Sequence, residues 1–438
     1  MRFASRSDPG RAVSFREALF SGLAPDGSLY HPVERPDLAA LFASFDDGTG
    51  FPDLASAVTA ALLAPEIDTR TAGRIVSRAF SFAPTLRRLD GNLLLLELFH
   101  GPTCAFKDFG AQFLAACIED FLQGENRRIQ ILVATSGDTG SAVANAFHGR
   151  ANIDVVILYP SGRVSELQEK QLTTLGGNVH ALEVRGSFDD CQRLAKEAFR
   201  DPRLCGALRL TSANSINIGR LLPQCLYYVF AATRRAALGG GAPTICVPSG
   251  NFGNLTAGVY AWAWGLAVRG FLAATNVNDV VPAYLASGSF IPRPSLQTLS
   301  NAMDVGSPSN FERLDRLFGG DWRAMASTIR GAAVTDARTL ETMRTIHAAH
   351  GVFVDPHTAV GCAAAKDLLA AGDARADEQV IVLSTAHPAK FMDVVREATG
   401  CEPEMPERLA RCLALPKQAL EIGTALPELS RFLLEKFT

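Results

Sequence analysis

The sequence predicts an α/β protein: two parallel-sheet domains preceded by a small, mostly helical N-terminal domain. Three observations carry this. From about residue 92 onward, short apolar runs alternate with helix-type stretches of ten or more residues, the rhythm of βα units. Several runs are apolar at nearly every position, as strands buried on both faces are. The first 85 residues lack such runs and show helix-type patterning instead.

Taken in order, residues 1–85 open with the turn-rich segment 22–32 and continue with helical stretches near 36–45, 52–63 and 69–80. The strand-like runs follow at 93–98, 129–134, 155–159, 181–184, 244–247, 271–275 and 380–384. Residues 129–210 hold about three βα units and predict a small α/β domain. Residues 86–128 with 211–400 predict the large α/β domain. The stretch 288–335 contains Pro292, Pro294, Gly306 and Pro308 and reads as an insertion. Residues 401–438 begin with Pro403 and Pro406 and read as a C-terminal tail ending in a helix over 428–436.

At 438 residues, 47% hydrophobic and 20% charged, the chain has ample material for a large core. A net charge of −3 without a long basic run argues against nucleic acid as a partner. Any anionic substrate is then held by local devices. No stretch approaches the roughly 18–20 apolar residues that span a bilayer, so no membrane is expected. The N-terminus lacks the apolar core of a signal peptide. Nine scattered cysteines with no CxxC pair predict neither disulfides nor a metal site, and a reducing, cytoplasmic location. The expected partner is a small-molecule substrate, and the expected assembly a monomer or small homo-oligomer.

The chemistry concentrates in a few segments. His100-Gly101-Pro102-Thr103-Cys104-Ala105-Phe106-Lys107-Asp108-Phe109-Gly110 places a lysine between an aromatic residue and an acid where a helix begins. Burial and the positive end of the helix dipole both lower the pKa of such an amine, which makes imine formation feasible. Ser249-Gly250-Asn251-Phe252-Gly253-Asn254 lies between a strand and a helix and contains no acid, which suits a phosphate. Thr135-Ser136-Gly137-Asp138-Thr139-Gly140 has the same layout, but Asp138 repels a dianion. The hydroxyls and amides of Thr135, Ser136 and Thr139 suit a singly charged carboxylate instead. Asp138 points away, caps its helix or faces the cofactor. In 212–220, Ser215, Asn217 and Arg220 gather a hydroxyl, an amide and a guanidinium suited to a second phosphate. Thr385 ends the last strand-like run, where its hydroxyl could meet the nitrogen of a pyridine ring without fully protonating it. His387 and Lys390 are compatible with surface positions on the following helix. Together these segments describe an enzyme that uses pyridoxal 5'-phosphate.

These motifs, in this order and over nearly the whole chain, resemble the threonine synthase family, of the tryptophan-synthase-β type (fold type II). The form Phe106-Lys107-Asp108-Phe109 is similar to its longer enterobacterial and fungal branch. Ser28 stands where the family usually has a second glycine, far from the chemistry. The resemblance implies that the large domain binds the cofactor and that Lys107 is the Schiff-base lysine. It implies that Phe106, Asp138, Gly250, Asn251, Phe252, Gly253, Asn254 and Thr385 meet the cofactor. Thr103, Thr135, Ser136, Thr139, Ser215, Asn217 and Arg220 would meet the substrate. The implied activity is that of a carbon–oxygen lyase acting on phosphate, converting O-phospho-L-homoserine and water to L-threonine in threonine biosynthesis. Similar lineages include lyases that release phosphate or ammonia and a 2-oxo acid. A non-catalytic relative that only binds the cofactor is disfavoured by the presence of both Lys107 and the 249–254 loop.

Overall fold

The structure, a computed structural model, describes every residue except 126–127, 136, 240 and 372–377. In the N-terminal unit, strands β1 (Phe3–Ala4) and β2 (His31–Pro32) pair antiparallel. The helices Ala39–Ser44, Phe51–Leu63 and Thr69–Ala79 follow, close to the predicted stretches. Their starts are set locally. Pro52 occupies the first turn of the second helix, and the Asp68 carboxylate caps the third by accepting from the Thr71 N–H at 2.7 Å.

The strands of the two larger sheets follow in chain order. They are β3 (Thr85–Asp90), β4 (Leu93–Glu97), β5 (Ile129–Ala134), β6 (Ile153–Pro160), β7 (Val179–Val184) and β8 (Leu210–Thr211). Then come β9 (Thr244–Pro248), β10 (Gly270–Thr275), β11 (Ile329–Ala333), β12 (Val380–Ser384) and β13 (Ala419–Ile422). The six-stranded sheet has the order β11-β10-β9-β12-β4-β3, parallel except for β3. The five-stranded sheet has the order β13-β7-β6-β5-β8 and is parallel throughout.

All seven apolar runs are strands. The strands without a run are the edges β3, β8, β11 and β13. An edge strand is covered on fewer sides and carries polar residues where a central strand cannot. Thus β3 reads Thr-Leu-Arg-Arg-Leu-Asp, and β13 buries only Ile422. The 288–335 stretch is therefore more than an insertion, since it supplies β11. The 401–438 tail supplies β13 as well as the helix Leu426–Phe437.

One core cluster runs from the N-terminal helices through one face of each sheet, while two others cover the opposite faces. Phe109, two residues after Lys107, is fully buried in the first cluster. Its ring meets Phe51, Phe80, Phe82 and Tyr227 at centroid distances of 5.6, 5.7, 4.9 and 5.4 Å. The N-terminal unit is thereby packed against the helix that begins with Lys107. The motif-bearing loops follow the C-terminal ends of β4, β5, β9 and β12, the edge where parallel sheets hold ligands.

Candidate active site

Lys107 opens the helix Lys107–Phe121 at the end of a strap that is fastened along its length. The Phe106 N–H donates to the Thr385 carbonyl at 2.8 Å, and the His387 N–H donates to the Cys104 carbonyl at 3.0 Å. Asp108 is fully buried and accepts from the Thr103 N–H at 2.9 Å and the Thr103 hydroxyl at 2.6 Å. A Cβ on Gly101 would lie 2.5 Å from that carboxylate, so only glycine fits there. Burial pushes the Asp108 carboxyl up to about 6, against the opposing pull of the Thr103 donors. The Phe106 ring lies 5.6 Å from the Lys107 Nζ and adds to its apolar surroundings.

The charges around Lys107 are arranged in opposition. Lys390 is 3% exposed, not on the surface. Its Nζ forms an ion pair with Asp138 at 2.8 Å and donates to the Thr103 carbonyl at 2.9 Å. Asp138 also accepts from the Gln168 amide at 3.2 Å. Burial raises the Asp138 carboxyl, but the two lysines outweigh it and hold it well below the usual carboxylate range. Lys107 is lowered, first by desolvation, then by the cations Lys390 and Arg220, with Asp138 opposing. The outcome is an amine biased toward its neutral, nucleophilic form. Asp138 points at Lys390 and does not cap its own helix, whose cap makes no side-chain bond.

Two loops offer unused backbone donors. Among the described residues, the N–H groups of Gly250, Asn251, Phe252, Gly253 and Asn254 have no acceptor in the protein. They sit at the start of the helix Gly253–Ala263, where the dipole favours an anion. Phe252, not a glycine, takes the left-handed conformation, with φ 59°. Gly250 is needed for close approach: a Cβ there would lie 2.7 Å from the Ala302 carbonyl oxygen and the Met303 Cα. The loop is braced by the Asn251 amide, which donates to the Ser215 hydroxyl at 2.8 Å, and by the Asn254 amide, which donates to the Pro248 carbonyl at 2.8 Å. A row of free amides at a helix start fits the phosphate of the cofactor. In the second loop the N–H groups of Asp138 and Thr139 are likewise free among the described residues. The Thr135 hydroxyl accepts from the Gly137 and Gly140 N–H groups at 3.0 and 2.9 Å and so shapes the loop. Ser136 lies outside the described residues.

In the 212–220 segment the three predicted residues take different positions. Asn217 is fully buried and serves the backbone. Its amide donates to the Leu19 and Ser212 carbonyls at 2.9 and 2.8 Å and its oxygen accepts from the Gly219 N–H at 2.9 Å. Ser215 faces the 250–254 loop through Asn251. Arg220 is 2% exposed and donates to the Ala213 carbonyl at 2.7 Å, while its Nε has no partner. A buried guanidinium with an idle N–H and no ion pair among the described residues is suited to an anionic ligand. Thr385 is 6% exposed, and its N–H meets the Thr358 hydroxyl at 3.3 Å. That hydroxyl also bonds Asp355, whose other oxygen is 2.8 Å from His357 Nδ1.

Sequence reasoning missed Lys390 and the burial of Asp108. The apolar neighbours Ala389 and Phe391 were the signal available for Lys390.

A buried lysine amine, together with free amides in the loops after β5 and β9 at the C-terminal edges of the two sheets, matches a pyridoxal-phosphate enzyme of the tryptophan-synthase-β type. The family comparisons agree. A family model for pyridoxal-phosphate dependent enzymes matches residues 80–386, one for the threonine synthase N terminus residues 2–80, and one for its C-terminal part residues 358–432. The threonine synthase of Serratia marcescens is 41% identical over 435 residues, 99% of both chains, and that of Escherichia coli is 41% identical over 95% of both. The crystal structure of pyridoxal-phosphate-bound threonine synthase from Brucella melitensis superimposes with a TM-score of 0.92 at 36% identity, covering 100% of this chain and 99% of that one. The Escherichia coli structure gives a TM-score of 0.90 at 39% identity, covering 99% and 100%. This chain belongs to the threonine synthase family.

Proposed function

We propose that the protein converts O-phospho-L-homoserine and water to L-threonine and phosphate, with Lys107 as the residue that carries pyridoxal phosphate. The observation that carries this reading is the pairing of two anion-seeking sites around one lysine: the free amides of 250–254 and the idle guanidinium of Arg220. The first suits the cofactor phosphate, and the second the phosphate of the substrate. The free N–H groups of Asp138 and Thr139 suit the substrate carboxylate. Thr385 is assigned to the ring nitrogen and Phe106 to the cofactor's surroundings. Thr103 and Asn217 hold the site's shape; Thr135 shapes the carboxylate loop, and Ser215 braces the cofactor loop through Asn251. When bound, the cofactor supplies an electron sink for the charge left on the substrate. Lys107, neutral once displaced from the cofactor, takes the proton from the substrate Cα as general base. It then moves protons between that carbon and its neighbours while Arg220 stabilises the departing phosphate. Asp138 holds Lys390 in place through their ion pair, and the nearby Lys390 charge lowers the Lys107 amine. The nine free cysteines support a reducing, cytoplasmic setting.

The test is a product assay of the cofactor-loaded enzyme with O-phospho-L-homoserine. Threonine and phosphate in equal amounts are expected; 2-oxobutyrate in place of threonine would overturn the reading. Borohydride reduction of the same enzyme should fix the cofactor on the peptide that contains Lys107, as read by mass spectrometry. Attachment at any other lysine removes Lys107 from its role.

A further inference from the structure

A second polar cavity lies away from the Lys107 site, between the N-terminal unit and the helices Gly253–Ala263 and Phe311–Leu317. Its volume is about 470 Å³, and four arginines line it against two carboxylates, Glu34 and Asp315. Both carboxylates are engaged. Glu34 accepts from the Arg2 N–H at 2.6 Å, and Asp315 lies 3.6 Å from Arg6. The Arg316 guanidinium has no hydrogen bond or ion pair among the described residues; only the Arg316 backbone is bonded, its carbonyl accepting from the Gly319 N–H at 3.0 Å. Arg313 is 1% exposed and has no carboxylate partner among the described residues; it donates to the carbonyls of Tyr30 and Ile216 at 2.8 and 2.7 Å and to the Asn310 side chain at 2.6 Å. The cavity wall therefore carries more guanidinium than carboxylate charge, with an idle guanidinium at its edge.

Two buried side chains on the same wall each carry one polar atom without a partner among the described residues. The Tyr260 hydroxyl and the His31 Nε2 are unbonded, on residues that are 3% and 4% exposed. An unmet buried polar atom costs on the order of 1–3 kcal/mol, so two in one cavity point to a ligand that satisfies both. Their chemistry differs. The hydroxyl of Tyr260 can donate. The Leu29 carbonyl faces the His31 ring, and burial with the nearby Arg316 and Arg313 charges lowers this imidazole to about 4, leaving Nε2 a bare acceptor. A ligand that offers several acceptor oxygens and one O–H donor meets both groups. A carboxylate or sulfate offers oxygens alone at neutral pH.

We propose that this cavity is an oxyanion site for inorganic phosphate as its hydrogen-phosphate ion, with Tyr260 and Arg316 donating to its oxygens and its O–H donating to His31 Nε2. The site is separate from the substrate pocket, but Arg313 connects the two: the same guanidinium reaches the Ser215 carbonyl at 3.3 Å, and the Ser215 hydroxyl accepts from Asn251 in the 250–254 loop.

The experiment follows the His31 imidazole by NMR in histidine-labelled, cofactor-loaded enzyme, with its resonance assigned through His31→Gln. Titration with inorganic phosphate should shift the His31 signal saturably, and sulfate should bind more weakly. Arg316→Gln should raise the half-saturating phosphate concentration about tenfold or more, and Tyr260→Phe several-fold, because each removes one donor to an anion. Arg316 is partly exposed and Tyr260→Phe keeps the ring, so both variants should fold. A His31 signal that phosphate does not move would overturn the proposal. So would half-saturation unchanged in both variants, or sulfate binding as tightly as phosphate. Threonine formation by Arg316→Gln is read separately, so failure of this site leaves the catalytic reading standing.

Discussion

Two buried carboxylates near Lys107 have opposite environments, and their environments set opposite pH dependences. Asp138 meets Lys390 at 2.8 Å and is depressed. Its contribution to stability is present above the ordinary carboxylate value and is lost only as pH falls below that range. Asp108 is hydrogen-bonded by the neutral donors of Thr103, and burial outweighs these and the more distant Lys390 charge and raises it from 3.8 to about 6. Its folded form holds the proton more tightly than the unfolded chain does. The stabilisation is therefore complete below about pH 4 and fades as pH rises through 6, a loss of roughly 3 kcal/mol. Asp108→Asn removes that titration while leaving one acceptor for Thr103. Urea midpoints at pH 4.5 and 7 should fall with rising pH in the wild type more than in Asp108→Asn. Equal slopes would show that Asp108 is ionised at the same pH folded and unfolded. The sequence displayed Asp108 beside Lys107, yet its depth was unreadable because burial comes from the strap over 100–106 and from residues far along the chain.

At the scale of elements, the helix Lys107–Phe121 and the short helix Ile218–Leu221 are pressed together at Gly110. A Cβ on Gly110 would collide with the carbonyl oxygen of Arg220. Backbone cannot yield as a flexible side chain can, so Gly110→Ala must push the two helices apart. The expected cost is about 1–3 kcal/mol of stability, read by denaturant unfolding. Because Arg220 travels with its helix, KM for O-phospho-L-homoserine should rise more than kcat falls. Gly206→Ala is the control, since nothing lies within 4 Å of its added Cβ. An unaltered KM in Gly110→Ala would mean that Arg220 does not contact the substrate. The glycine was visible within its motif, but its reason was not: the neighbour that requires it lies over a hundred residues later. Phe252 shows the same limit. The loop was recognised by Gly250 and Gly253, while the left-handed turn falls on the phenylalanine between them.

For the whole molecule, the central strands were legible because burial on both faces writes an apolar run into the sequence. The edges were not, because β13 is half solvated and borrows its register from β7, more than two hundred residues earlier. That borrowed edge makes a testable claim about how the molecule is divided. The tail closes the five-stranded sheet at three points. The β13 ladder pairs Ala419–Ile422 with 181–184, Lys417 reaches Glu169 and Glu183 at 2.7 and 2.6 Å, and Leu429 and Leu433 are fully buried against the cluster that holds Leu182 and Leu194. None of these touches the core cluster on the far face of the six-stranded sheet. Burial of each leucine contributes about 1.5–3 kcal/mol. A chain ending at Pro416 should therefore exchange the amides of β7 roughly a hundredfold faster or more, while those of β9 and β10 keep their protection. It should also lose threonine-forming activity more than its bound cofactor. Asp138 and its loop follow β5 in the loosened sheet, whereas the 250–254 amides follow β9 in the intact one. If protection fell equally across β7, β9 and β10, the two sheets would form one cooperative unit, and the division of the site between a cofactor half and a substrate half would have no thermodynamic basis.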